Sequence, residues 1–104
     1  AKVTHHNVNY DGSIGIDVSL IEAASFAKYE KVHILNINNG ERLETYVIEE
    51  ARGSGNICIY GAAAHLIQAG QQIIILSYAS IDADLASSHA PFVVHLDNNN
   101  HIKN

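Results

Sequence analysis

The chain has 104 residues, 47% of them hydrophobic and 16% charged, and carries 6 Lys and Arg against 11 Asp and Glu. That size and mixture suit one packed domain, residues 1–104, and argue against wholesale disorder. The apolar runs are strand-sized, far short of the roughly 20 residues that cross a membrane. A net charge of −5 without a Lys/Arg cluster excludes nucleic acid and anionic membrane as partners held by bulk electrostatics. The single cysteine, Cys58, excludes an internal disulfide and a multi-cysteine zinc site.

The chain has no Met and opens on Ala1-Lys2-Val3-Thr4-His5, which reads as the middle of a strand. A segment upstream is therefore expected. Residues 2–10 read as extended, with Val3 and Val8 inward. Asp11-Gly12-Ser13-Ile14-Gly15 reads as a turn, because Asp-Gly is a strong breaker. Asp17 to Phe26 has helical spacing: Ser19 and Glu22 stand as a capping box, and Leu20, Ala23, Ala24 and Ala27 form the apolar stripe. Lys31 to Asn38 alternates as a strand, and Asn38-Asn39-Gly40 supplies residues that accept positive φ for a tight turn. Arg42 to Glu49 is the return strand, with Leu43, Thr45 and Val47 on one face and Arg42, Glu44, Tyr46 and Ile48 on the other.

Asn56 to Tyr60 is a further strand. Gly61-Ala62-Ala63-Ala64-His65-Leu66 suits one or two helical turns. Gln72 to Tyr78 is a β-branched strand, Asp82 to Ala86 a helical turn, and Phe92 to Leu96 a last strand after Pro91. The Asn-rich tail from Asn98 to Asn104 lacks apolar periodicity and reads as loose. Many short strands in so short a chain point to a mainly β fold, a small barrel or sandwich with short helices, closed to avoid exposed edges.

Most candidate chemistry has a plainer explanation. Seven histidines show neither HExxH nor finger spacing, so no metal site is expected. Cys58 sits between isoleucines and reads as core. Gly53-Ser54-Gly55 lacks the lysine and the glycine spacing of a phosphate loop. Gly61-Ala62-Ala63-Ala64 leaves backbone N–H groups approachable at a strand-to-helix junction, which suits a carboxylate or close packing.

One ordered set of motifs carries more. Lys2-Val3-Thr4-His5 leads to Tyr10-Asp11-Gly12-Ser13 and Ile16-Asp17. Then come Asn39-Gly40-Glu41-Arg42, Thr45-Tyr46, Arg52-Gly53-Ser54 and Gly61-Ala62-Ala63-Ala64-His65. This set resembles bacterial aspartate 1-decarboxylase, the pyruvoyl-dependent family that makes β-alanine for pantothenate. The likeness runs from about Lys2 to Tyr78 and more loosely to Leu96.

The resemblance implies a double-psi β-barrel, a cytoplasmic homotetramer with active sites at subunit interfaces, and L-aspartate as substrate. It implies a precursor, or zymogen, that cuts itself between Gly12 and Ser13 into a β chain, residues 1–12, and an α chain, residues 13–104. Ser13 becomes a covalently bound pyruvoyl group, which takes the substrate amine as a Schiff base; no metal is involved. Thr45 supports the cleavage and Tyr46 returns a proton after decarboxylation. Arg42 holds a substrate carboxylate, the backbone of Gly61, Ala62 and Ala63 completes the pocket, and Ile74 is an apolar wall. Some members use an accessory maturation factor. A lysine and a histidine that the family carries near its substrate precede the first residue here. Tyr60 stands where the best-known members have asparagine. Two rivals make different predictions: a non-enzymatic barrel module would stay uncut, and a pyruvoyl decarboxylase for another amino acid would keep Gly12-Ser13 but change the groups at Arg42.

Overall fold

The computed structural model describes residues 1–103. Six strands carry the chain: β1 His5–Asn7, β2 Ser13–Asp17, β3 Lys31–Asn36, β4 Arg42–Glu50, β5 Ile57–Tyr60 and β6 Ile73–Leu76. One α-helix, α1 Val18–Ala24, follows β2 directly, and two 3₁₀ helices span Gly61–His65 and Ala83–Ser88. No helix among the described residues is long and apolar enough to cross a membrane.

The strands form one sheet in the order β1-β5-β2-β4-β3-β6. Two neighbouring pairs, β1–β5 and β2–β4, are parallel. The other pairs, β2–β5, β3–β4 and β3–β6, are antiparallel. The two ends of that order meet. Lys2, just before β1, bridges Gln72, just before β6. Around it Val3 N donates to Gln71 O at 2.9 Å and Ile73 N donates to Ala1 O at 2.8 Å. The first seven residues thus pair with both edges and close the sheet into a barrel, which removes the open edges a short-stranded sheet would present.

Alternation decides what fills it. Ile14, Ile16, Val32, Ile34, Val47, Ile57, Ile59 and Ile73 point inward and are buried, and Leu20 and Ile21 of α1 and Ile67 join them. β-Branched side chains suit both the strand backbone and a tight interior. The alternation expected of β4 is present: Leu43, Thr45 and Val47 are half-buried or buried, and Arg42, Glu44 and Tyr46 are exposed.

Six expectations are corrected, the last of them that of a loose tail. Ser13, Ile14 and Gly15 pair within strand β2 and are not part of an Asp11–Gly15 turn. Val8 lies outward, beyond the end of β1, and is exposed. The helix is capped by Asp17, which accepts from Ser19 N, and not by a Ser19–Glu22 box; Glu22 instead reaches Arg52. Its buried face is Leu20 and Ile21, with Ala23 and Ala24 only half-buried and Ala27 exposed. Phe92 to Leu96 has no partner strand; only Leu96 is bridged, to Ile102, and Phe92 and Val93 are exposed.

The described part of the tail is anchored. Asp97 Oδ1 accepts from Asn99 N and His101 N at 2.8 and 2.9 Å. The buried Asn100 side chain accepts from Lys2 N and donates to Lys2 O and Gly55 O. Short polar side chains that bond their own backbone turn an apparently featureless stretch into a defined turn. Asn104 lies outside the described residues.

Candidate active site

β2 is buried along its whole length. At its start the chain passes from an exposed Gly12 to a Ser13 that is 3% exposed. Ser13 pairs with Tyr60 across the antiparallel ladder. At the other end of that ladder Asp17 N donates to Asn56 O at 3.0 Å, and alternation from there makes Ser13–Tyr60 a hydrogen-bonded pair. On the other side β2 runs parallel to β4, with Ile14 beside Val47. One residue back along both chains stand Ser13 and Tyr46, and two back stand Gly12 and Thr45.

Gly61 presses on this point. Its φ is +79°, and a Cβ there would lie 2.6 Å from Gly12 Cα, 2.8 Å from Gly12 N and 3.0 Å from Tyr10 O. Only a glycine allows that approach and that backbone angle. The strand-to-helix junction is thus a close-packing site for Gly61, set against Gly12 Cα and N on the Asp11–Gly12 side of the turn. Ala62 is exposed and Ala63 half-buried just beyond it. Ser13 Oγ donates to Asp11 O at 3.3 Å, a single long bond within its own turn.

The residues expected to act together fall into two groups. Gly61 meets Gly12 beside Ser13, and Thr45 and Tyr46 precede Val47, the β4 residue with which the β2–β4 pairing begins. Thr45 faces the opposite side of the sheet from Tyr46, as regular alternation requires. Tyr46 is 37% exposed, with its ring 6.2 Å from that of Tyr29. Arg42 shares the outward face with Tyr46 but lies four residues away, about 13 Å along the strand. It forms no salt bridge among the described residues, because Glu44 is taken by Lys31 at 3.0 Å and His33 at 3.1 Å. Ile74, 47% exposed, stands in the cross-strand row Arg42–Leu35–Ile74 on that outward face. Arg42 and Ile74 therefore belong to a surface that one chain leaves open, away from Ser13.

Sequence reasoning passed over Glu50. Gly15 has no Cβ, and the Glu50 carboxylate occupies the space directly over it. From there Glu50 Oε2 accepts from Tyr60 OH at 3.2 Å. A glycine inside a strand signals such a close approach, so the clue was present in Gly15. Burial, with Cys58 and Glu50 nearby, pushes the Tyr60 phenol far above its ordinary range. Burial likewise pushes the Cys58 thiol up, which suits a core position and not a nucleophile. Among the described residues no group of three or more His, Cys, Asp or Glu is placed to hold a metal.

These features define a small β-barrel in which the exposed Gly12 backbone passes close to Gly61, next to a buried Ser13. Residues 1–103 match the family described as aspartate decarboxylase. The chain is 52% identical over 102 residues to the aspartate 1-decarboxylase of Caldicellulosiruptor saccharolyticus, covering 98% of this chain and 80% of the relative. It is 55% identical over 100 residues to that of Thermoanaerobacter pseudethanolicus, covering 96% and 86%. With the Pelotomaculum thermopropionicum protein of the same name it shares 54% over 102 residues, covering 98% and 77%. The chain belongs to the aspartate decarboxylase family.

Proposed function

We propose that this protein cleaves its own Gly12–Ser13 peptide and then decarboxylates L-aspartate to β-alanine and CO2, the step that feeds pantothenate synthesis in the cytoplasm. The observation that carries the maturation step is the wedge of Gly61 backbone against Gly12, beside a buried serine. With Gly12 N and Cα fixed by that packing, the carbonyl that follows is held in one place relative to its neighbouring hydroxyl.

The step balances as follows. Ser13 Oγ bonds to the Gly12 carbonyl carbon, the C–N bond breaks, and the nitrogen takes the hydroxyl proton, leaving an ester. Loss of the Ser13 Cα proton with breakage of the Cβ–O bond releases residues 1–12 with a terminal carboxylate. Water replaces the nitrogen at the remaining double bond and ammonia leaves, so residue 13 ends as a ketone. Thr45, on β4 two residues before the Val47 that pairs with Ile14, supplies a hydroxyl donor for the oxyanion that forms on the Gly12 carbonyl.

The residues fit the pyruvoyl group: Ser13 supplies its three carbons, and its own hydroxyl carries a single long bond to Asp11 O. That group supplies an electron sink for the pair left when CO2 departs. Arg42 offers a planar, permanently charged fork for a substrate carboxylate. Tyr46 gives a proton to the carbon that lost CO2. The backbone of Gly61, Ala62 and Ala63 and the Ile74 side chain bound the substrate.

Because Arg42 and Ile74 lie away from Ser13 on an exposed face, the complete site is assembled between copies of the chain in a homotetramer. The exposed Tyr78, Ile81, Leu85, Phe92 and Val93 support that reading, since so many large apolar side chains on one segment suit a protein contact. The two parallel pairs in a mixed barrel support its double-psi form. An assay for β-alanine from L-aspartate tests the function. Product that appears with the cleaved protein and not with a Ser13→Ala variant supports it; cleaved protein that makes no β-alanine contradicts the substrate.

A further inference from the structure

The outward face of β2 carries Ser13, Gly15 and Asp17, and the cross-strand partners of the first two are Tyr60 and Cys58. Directly paired side chains in an antiparallel ladder share a face with Cβ atoms about 4.5–5.5 Å apart. Tyr60 is therefore the immediate neighbour of Ser13 on that face. Its hydroxyl lies further along, where Glu50 Oε2 accepts it at 3.2 Å. Glu50 gets there by crossing over Gly15, in a space that any side chain at Gly15 would fill. Glu50 itself stands at the far end of the β2–β4 ladder, opposite Asp17. The edge of Tyr10, from the turn before Ser13, meets the Tyr60 ring at 5.4 Å between centroids.

Three features that are unconnected in the sequence converge: a glycine without a turn to make, a carboxylate reaching back across a strand, and a phenol beside the reacting serine. We propose that Glu50 is a positioning residue for the self-cleavage. It acts through Tyr60, holding the ring in one orientation along the sheet and so fixing the wall against which the Ser13 hydroxymethyl group turns. Without that anchor the ring rotates about its side-chain bonds, and Ser13 samples orientations that point away from the Gly12 carbonyl. The charged acceptor matters less than the hydrogen bond, because an amide oxygen accepts from a phenol as well. This inference rests on the proposed self-cleavage.

The test is the rate of precursor cleavage, followed from freshly made uncut chain by intact mass, with a thermal melt for each variant. Glu50→Ala removes the anchor, Tyr60→Phe removes only the hydroxyl, and Gly15→Ala evicts the carboxylate without altering either partner. Each slows cleavage by about ten- to a hundredfold, the size expected for loss of a hydrogen bond to a charged group. Glu50→Gln recovers most of the loss. The Glu50→Ala/Tyr60→Phe double variant is no slower than either single one, because both break the same link. A purely structural role would lower the melting temperature and leave cleavage of the folded protein at the parent rate. Cleavage of Glu50→Ala or Tyr60→Phe at the parent rate, or multiplying effects in the double variant, overturns the proposal. An unaltered parent chain that never cuts overturns the self-cleavage reading instead.

Discussion

The two ends of β2 treat a buried polar side chain in opposite ways. At its C-terminal end the Asp17 carboxylate is saturated: Ser19 N and Oγ donate to Oδ1 at 2.8 and 2.7 Å, Gly53 N at 3.0 Å, and Gly55 N donates to Oδ2 at 2.8 Å. At the N-terminal end Ser13 has one bond of 3.3 Å to its own turn. Burial alone would raise the Asp17 pKa, but the bonds from Ser19, Gly55 and Gly53 outweigh it and hold the carboxyl below its ordinary range. A fully bonded group is fixed and inert, and it ties β2, α1 and the 53–55 loop into one unit. A hydroxyl with one long bond is not pinned in this way, which suits the role proposed for it.

That contrast can be broken from either end. The largest effect is expected at Gly61→Ala. The added methyl meets Gly12 backbone at 2.6 Å, and the φ of +79° is unfavourable for alanine, so the wedge has to open. Self-cleavage falls below detection in a gel time course, while circular dichroism still reports a β protein. Next is the shared core beneath both ends: Ile34→Ala, at a fully buried position, costs about 2–5 kcal/mol in urea unfolding.

Asp17→Asn follows. A carboxyl with a depressed folded-state pKa adds stability that is complete above its unfolded value of about 3.9 and is lost as pH falls through the folded value. The parent therefore loses this contribution below about pH 4, whereas Asp17→Asn melts several degrees lower at pH 7 and has a flatter acid limb. Thermal melts from pH 7 to pH 3 show both. The smallest effect belongs to Arg52→Ala, which breaks an exposed pair with Glu22 and leaves the melting temperature nearly unchanged, more so in high salt.

Much of this was legible beforehand because alternation and turn chemistry are local. The β3–β4 hairpin could be read from Lys31–Asn36, the Gly40 turn and the two faces of β4. Phe92 to Leu96 misled because apolar pattern alone does not supply a partner strand. The tail misled because Asn100 finds its partners on Lys2 and Gly55, far away in the chain. For the site, Gly12, Ser13, Thr45 and Tyr46 came from motif order. The wedge of Gly61 and the reach of Glu50 across Gly15 did not, since both are contacts between segments distant in the chain whose relative placement no local pattern encodes. The wide separation of Arg42 from Ser13 follows from plain strand geometry, and the proposed site shared between chains rests on it.

Intact mass spectrometry of the purified protein tests the central claim most directly. The account predicts two fragments, one ending at Gly12 and one beginning at residue 13, the larger lighter by one ammonia than simple hydrolysis would leave it. The Ser13→Ala chain stays whole. A single uncut chain after prolonged incubation, or fragments with an ordinary serine terminus, would contradict it.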